Sequence, residues 1–208
     1  MATFLRPLSY RYEWLYDGIS KLATIAVGGE NRFRHLPLEG LTINRDTKVL
    51  DLCCGAGQTT QVLAQYSAQV TGLDLSPIAL QRAQSRVPQA TYVQSRAEVM
   101  ELPDQSFDLV HSSAAMHEMT PDQLQSIFKE VFRVLKPQGL FVIVDFHQPH
   151  NPIYFPGLAL FLALFETETA WQLLKTDLGE QLTPIGFTVV KHQLHAGGSV
   201  QVIQVQKP

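Results

Sequence analysis

The sequence has few cysteines, and the two that it has are adjacent. Of its 208 residues only Cys53 and Cys54 are cysteines. Neighbouring cysteines rarely satisfy disulfide geometry, so we expect two reduced thiols that pack beside a loop. An adjacent pair also lacks the ligand spacing of a zinc site, and we therefore expect no bound metal.

The sequence also lacks an excess of basic residues and a long apolar run. Lys and Arg number 16 against 19 Asp and Glu, giving a net charge of −3. Because nucleic-acid-binding domains usually carry a basic face, we expect no nucleic-acid partner. The most apolar run, 153–165, is shorter than the roughly 20 residues that span a bilayer. No signal-peptide pattern opens the chain, so we expect a cytoplasmic protein whose apolar run could still touch a membrane surface.

Strand-like and helix-like segments alternate through most of the chain. Ser76-Pro77 is an N-cap followed by proline, and Thr120 to Gln123 forms a capping box, so both predict helix starts. We expect buried strands at 47–52, 69–74, 90–94, 107–112 and 140–146, and a final hairpin of 187–194 and 199–206. This order predicts the α/β class, with a doubly wound, Rossmann-like, mostly parallel sheet and a C-terminal antiparallel hairpin.

The chain is long enough for one domain with a sizeable core, and we expect a single domain over 1–208. Apolar residues recur at helical spacing near the N-terminus, which predicts a helical extension over 1–40. The extension either covers the sheet or forms a lid with Tyr16 facing inward. The apolar insertion at 149–166 either packs as a core helix or forms the wall and lid of an apolar substrate pocket.

A glycine loop, VLDLCCGAG at 49–57, joins the first strand to the first helix. Glycines let the backbone turn close to a ligand, and the helix start offers free N–H groups, so the loop predicts a nucleotide-type cofactor. A dinucleotide site would place a third glycine at Thr60, which disfavours a nicotinamide-dependent oxidoreductase. Asp51 is placed for a cationic sulfonium and ammonium, and Asp74 for the two hydroxyls of a ribose.

Four ordered motifs resemble class I S-adenosylmethionine-dependent methyltransferases: VLDLCCGAG (49–57), GLDLS (72–76), AEVMELPDQSFDLV (97–110) and RVLKPQGLFVIVDF (133–146). The resemblance implies S-adenosylmethionine as the cofactor. Arg96 stands where many relatives have an Asp, so it either stacks on the adenine or points to solvent. The implied cofactor-binding residues, which run from the methionine to the adenine end, are Asp51, Cys53, Gly55, Gly57, Ser112, Ser113, Asp74, Leu75, Arg96, Ala97 and, from the extension, Tyr16.

A narrower resemblance is to the ring C-methyltransferases of ubiquinone, menaquinone and phylloquinone biosynthesis. It is carried by Tyr16-Asp17, Gly28-Gly29 and Arg34 near the N-terminus and by the run 195–198 near the C-terminus. Their Gly-x-Arg-Asn signature is absent, and 115–119 takes its place. The resemblance implies a prenylated quinol as acceptor. Another small molecule or lipid stays open as acceptor, and so does a non-catalytic protein of the same fold.

Methylation at the ring carbon of a quinol requires a hydroxyl proton to leave, so a proton acceptor is expected near the methyl group. His117 follows the fourth strand and has a suitable pKa for a general base, although it could instead be a packed histidine. Asp145 ends the fifth strand at the same edge of the sheet. It is the second candidate base, or else an anchor for the following loop.

Overall fold

A seven-stranded sheet organises the computed structural model, which describes residues 24–208. The strands lie in the order β3-β2-β1-β4-β5-β7-β6, with β7 antiparallel to both β5 and β6 and all other pairs parallel. This arrangement confirms the predicted sheet and hairpin. The strands are β1 (Lys48–Leu52), β2 (Gln69–Asp74), β3 (Thr91–Gln94), β4 (Phe107–Ser113), β5 (Leu135–Phe146), β6 (Thr188–His195) and β7 (Val200–Gln206).

Helices cover both faces of the sheet, and their starts follow the predicted capping signals. Ser76 accepts a hydrogen bond from the N–H of Ala79, and Thr120 and Gln123 form the capping box. Both signals are confirmed. The α-helices are α1 (Glu30–His35), α2 (Gln58–Tyr66), α3 (Pro77–Arg86), α4 (Pro121–Val134), α5 (Phe155–Phe165), α6 (Glu168–Leu173) and α7 (Leu178–Leu182).

The fifth strand begins at Leu135, five residues earlier than the sequence predicted. Leu135 pairs with Phe107 of β4, so the chain enters the sheet directly at the end of α4. Pro137 would break a regular ladder, but here the register between β4 and β5 shifts at Phe107/Leu109. Proline is tolerated at such an irregularity because it has no N–H to leave unpaired.

The N-terminal extension is described from residue 24 onward, and that part is helical and lies on the sheet. Ile25–Val27, α1 and Leu36–Leu38 follow one another. Leu36 and Leu38 are buried, and the side-chain amide of Gln204 in β7 donates to the carbonyl of Pro37 at 3.0 Å. Residues 24–40 therefore cover the sheet, whereas Tyr16 lies outside the described residues.

The apolar segment 149–166 packs one side on a small apolar cluster and exposes the other, so of the two alternatives from the sequence a helix enclosed in the core is the less supported. It consists of a 3-10 turn, Pro152–Tyr154, followed by α5. Only Leu162 of α5 is buried, while Ile153 is 78% and Leu160 62% exposed. Within the described residues no helix is both long and apolar enough to cross a membrane.

Two glycines offer a matched test of the glycine loop. Gly57 has φ +80°, and a Cβ there would lie 3.0 Å from Cα and Cβ of Ala83 in α3. We expect Gly57→Ala to lower the free energy of unfolding by about 1–3 kcal/mol, from left-handed strain and crowding. Gly157 lies in α5, and a Cβ there would have no neighbouring atom within 4 Å. Gly157→Ala should therefore raise the free energy of unfolding by about 0.5 kcal/mol. Equal effects in urea unfolding would contradict this account of the loop.

Candidate active site

A cavity of about 660 Å³ opens at the carboxyl ends of β1, β2 and β4, where ligands bind in open α/β sheets. Most of the predicted cofactor-binding residues line it, but Gly57 and Ser112 are not among the lining residues. The two candidate bases, His117 and Asp145, do not line the cavity either. The predicted residues that line the cavity are Asp51, Cys53, Gly55, Asp74, Leu75, Arg96, Ala97 and Ser113.

The glycine loop is tied to the neighbouring strand β2. The N–H of Cys54 donates to the carbonyl of Leu73 at 3.0 Å, and the N–H of Gly55 donates to Oδ2 of Asp74 at 2.9 Å. Cys53 adopts a left-handed φ of 58°. This conformation is uncommon for a residue with a Cβ. The loop therefore keeps the shape of a glycine loop in spite of the cysteine.

Both cysteines are free thiols in a setting that makes them unreactive. Burial, followed by the nearby Asp74, raises the pKa of the Cys53 thiol well above its usual range. Burial and Asp51 raise the pKa of the Cys54 thiol in the same way. Because the thiolate is the nucleophilic form, these side chains can pack but do little redox chemistry. The structure thus supports the packing role expected from the sequence.

Asp51 is a buried carboxylate at the end of β1, only 1% exposed. Its Oδ2 accepts a hydrogen bond from the hydroxyl of Thr60 at 2.6 Å, and its Oδ1 lies 3.6 Å from Nδ1 of His111. His111 is completely buried, as expected of a core histidine. Because an unpaired buried charge is costly, a cation that enters the cavity would stabilise the carboxylate of Asp51.

Asp74 is half-buried at the end of β2 and holds two loops by its carboxylate. Oδ1 accepts from the N–H of Ser76 and Oδ2 from the N–H of Gly55, both at 2.9 Å. Each carboxylate oxygen can accept a second hydrogen bond, so a pair of hydroxyl groups can still be held.

Arg96 has a side chain that is 61% exposed and pairs with Glu98 at 2.9 Å, so it points to solvent.

Two serine hydroxyls at the end of β4 are buried without a hydrogen-bond partner among the described residues, Ser112 Oγ and Ser113 Oγ. A buried polar group left without a partner costs about 1–3 kcal/mol, so its presence calls for an explanation. Ser113 lines the cavity, where a ligand can supply the missing partner. Ser112 faces away from the cavity lining, and the structure offers no comparable reason for its hydroxyl.

His117 is held between two carboxylates behind the cavity wall and is only 3% exposed. Its Nδ1 lies 2.7 Å from Oδ1 of Asp145 and its Nε2 lies 3.4 Å from Oε2 of Glu166. Burial by itself would lower the pKa of His117, but Asp145 and Glu166 outweigh it and raise the pKa well above the usual value. Because its ring is buried, does not line the cavity and contacts a carboxylate at each nitrogen, His117 is poorly placed to be the general base.

Asp145 is equally unsuited to the role of base, because it is buried and is not among the residues that line the cavity. Oδ1 contacts the ring of His117 and accepts from the N–H of Phe146 at 2.7 Å, and Oδ2 accepts from the N–H of His117 at 3.2 Å. It is 2% exposed. Of the two roles left open by the sequence, the structure favours the anchor.

Several cavity-lining residues were not assigned a role from the sequence, among them Phe33, Arg34, Thr59 and Glu118. Arg34 donates to the hydroxyl of Thr59 at 2.9 Å, which places a guanidinium beside the start of α2. Its only signal in the sequence was the N-terminal resemblance. Glu118 is half-buried and lines the cavity. Its position directly after His117 was the available signal.

Comparison with known proteins assigns the chain to a family. A sequence profile described as a methyltransferase domain matches residues 49–139. An uncharacterized methyltransferase of Synechocystis sp. is 60% identical over 206 residues, covering 99% of this chain and 97% of the relative. A demethylmenaquinone methyltransferase of Lactobacillus johnsonii is 35% identical over 159 residues, covering 72% of this chain and 64% of the relative.

Solved structures show the same fold. A TehB-like S-adenosylmethionine-dependent methyltransferase from Corynebacterium glutamicum superposes with a TM-score of 0.67 and covers 97% of this chain and 99% of its own. The two sequences are 18% identical, so this likeness concerns the architecture alone.

The residues of the cavity fit S-adenosylmethionine. Asp51 offers a buried carboxylate for a cationic group, and Asp74 can accept hydrogen bonds from ribose hydroxyls. The hydroxyl of Ser113, which has no hydrogen-bond partner among the described residues, can form a hydrogen bond with the ligand. Sequence profile, relatives and fold agree with this chemistry. The chain therefore belongs to the class I S-adenosylmethionine-dependent methyltransferases and uses S-adenosylmethionine as its cofactor.

Proposed function

We propose that the protein methylates a ring carbon of a prenylated quinol. The observation that carries the proposal is the exposed apolar face of segment 149–166. At the C-terminal end of this segment, Glu166 contacts His117 in the 3-10 turn Met116–Glu118, next to the part of the cavity that we assign to the acceptor. A long isoprenoid chain needs such a surface. The similarity to a demethylmenaquinone methyltransferase adds weaker support.

We further propose how the chain holds its cofactor, which supplies an electrophilic methyl group on a sulfonium. Asp51 and the backbone of the glycine loop bind the methionine part, with Arg34 facing its carboxylate. Asp74 binds the ribose, and Leu75 and Ala97 border the adenine. These assignments are supported by the cavity lining and by the carboxylate geometry at the ends of β1 and β2.

The acceptor end of the cavity would lie past β4, where Ser113, Glu118 and Met119 line the wall. Displacement at a sulfonium depends chiefly on the alignment of the two reactants, which a rigid wall supplies. A carboxylate within reach can also accept the hydroxyl proton of a quinol as the ring carbon attacks. We assign this role to Glu118, in place of His117 and Asp145, because its carboxylate belongs to a residue that faces the cavity.

Segment 149–166 contributes none of the side chains that line the cofactor cavity. We propose that it forms the outer wall for the isoprenoid chain, in keeping with the lid expected from the sequence. Ile153 and Leu160 would also touch the bilayer in which such an acceptor dissolves, giving peripheral membrane contact.

Substitution on this face tests the acceptor class. We expect the double variant Ile153→Ser with Leu160→Ser to lose at least about tenfold in kcat/KM for a long-chain prenylated quinol, since each apolar contact is worth about 1–3 kcal/mol. Turnover of a quinol without the chain should stay unchanged, and co-sedimentation with lipid vesicles should fall. Val190→Ser, 51% exposed on β6, is the control. Equal loss on both quinols would contradict the proposed isoprenoid wall.

A further inference from the structure

One buried histidine connects three separate elements near the acceptor side of the cavity. His117 belongs to the 3-10 turn Met116–Glu118, Asp145 to the end of β5, and Glu166 caps the C-terminus of α5. The two contacts, 2.7 Å to Asp145 and 3.4 Å to Glu166, use opposite nitrogens of the ring. The ring of Phe146 lies 4.7 Å away, centroid to centroid, and closes one side.

Three carboxylate side chains lie around the ring of His117, an arrangement that favours a cation between them. Asp145 and Glu166 face it from two elements, and a carboxylate oxygen of Glu118 lies within 4.8 Å of both the ring and Glu166. Helix α6 packs against the turn, but its acidic residue, Glu168, is exposed. Asp145 is buried and Glu118 and Glu166 are half-buried, and carboxylates this close repel one another unless a positive charge lies among them.

We propose that His117 is a positioning residue whose imidazolium ties segment 149–166 to the turn Met116–Glu118 and so fixes the acceptor wall of the cavity. Through this tie the lid segment and the cavity wall move as one unit. Glu118 and Met119, directly beyond the ring in sequence, are held where they face the cavity. The effect on acceptor binding rests on the proposed function, whereas the charge state of the ring does not.

A tie of this kind has a defined dependence on pH. Because the folded protein raises the pKa of His117 above its usual value, the stabilisation is complete at pH values below the ordinary histidine pKa. It is lost as the pH rises through the raised pKa and the ring becomes neutral. We therefore expect the tie to hold at neutral pH and to fail on the alkaline side.

Nuclear magnetic resonance of ¹⁵N-histidine measures the charge state directly, without any acceptor. We expect one ring, identified by its absence in His117→Gln, to carry protons on both nitrogens at pH 7 and to titrate above the other histidines. Glu166→Gln should lower its titration midpoint, whereas Glu168→Gln, two residues away and exposed, should not. A neutral His117 ring at pH 7, or one that ignores Glu166→Gln, would overturn the proposal.

Kinetics on the accepted quinol then test the positioning role. Glu166→Gln should raise KM for the acceptor at least about fivefold while the Kd for S-adenosylmethionine stays the same, and Glu168→Gln should change neither. His117→Arg, which keeps a cation at every pH, should remove the loss of activity that we expect of the wild type at alkaline pH. If Glu166→Gln weakens cofactor and acceptor equally, the ring is merely structural and the proposal fails.

The same three side chains, His117, Glu118 and Glu166, are close enough to hold a metal ion. A metal at this place would make the ring a neutral ligand instead of a cation. Loss of activity on dialysis against a chelator, with recovery on adding Zn²⁺, would therefore overturn the proposal. Unchanged activity after dialysis is the expected result.

Discussion

Asp74→Asn is expected to weaken S-adenosylmethionine binding by about 100-fold. The substitution removes the negative charge that would accept both ribose hydroxyls, and each hydrogen bond to a charged group contributes about 1.5–3 kcal/mol. A loss of about 2.7 kcal/mol corresponds to 100-fold. Asparagine keeps one oxygen, which can accept from the N–H of either Gly55 or Ser76 but not from both, so part of the loss comes from the loop contact that is broken. Isothermal titration calorimetry measures the change.

The matched control is Asp46→Asn, an exposed carboxylate just before β1 and therefore at the opposite edge of the sheet. It changes the net charge equally, so any difference between the two variants reports on the site. Circular dichroism should show both variants folded. Unchanged cofactor affinity in a folded Asp74→Asn protein would refute the assignment of the ribose to β2.

Phe128→Ala is expected to lower the free energy of unfolding by about 3–5 kcal/mol, because it deletes a large side chain from a fully packed site. Phe128 lies on α4 and is 0% exposed. Its ring meets that of Phe141 in β5 edge to face at 6.1 Å, and Phe141 in turn neighbours Phe187 at 6.2 Å. The loss is a large part of the about 5–15 kcal/mol that stabilises a typical domain.

Chemical denaturation followed by circular dichroism measures this loss, and Phe155→Ala is its control. Phe155, on α5, is 43% exposed, so its removal should cost less than about 1 kcal/mol. Similar losses for the two variants would mean that α4 does not pack against the sheet as the structure shows.

The parts of the fold that local chemistry determines could be predicted from the sequence. Thr120 caps α4 by a bond to a residue three positions away, and the residues 49–52 of β1 are all buried, so this mostly apolar strand is visible in the sequence without a structure. Asp51 and Asp74 could be placed at the site for the same reason, since each ends a parallel strand and all such ends lie at one edge.

What the sequence could not show depends on contacts between distant residues. The early start of β5 results from the pairing of Leu135 with Phe107, 28 positions earlier. The pKa of His117 depends on Glu166, 49 positions away, and on Asp145, each of which contacts one nitrogen of the ring. From sequence alone His117 looks like a base at the end of β4. Its two carboxylate partners raise its pKa, which favours the cation that we propose.

The central claim is methyl transfer to a prenylated quinol, and one assay tests it directly. The purified protein is incubated with S-adenosylmethionine carrying a labelled methyl group and a reduced prenylated naphthoquinol or benzoquinol in vesicles. We predict label on a ring carbon of the quinol and one S-adenosylhomocysteine formed for each methyl transferred. Binding of S-adenosylmethionine without transfer to any quinol, while another small acceptor becomes labelled, would contradict the proposed substrate.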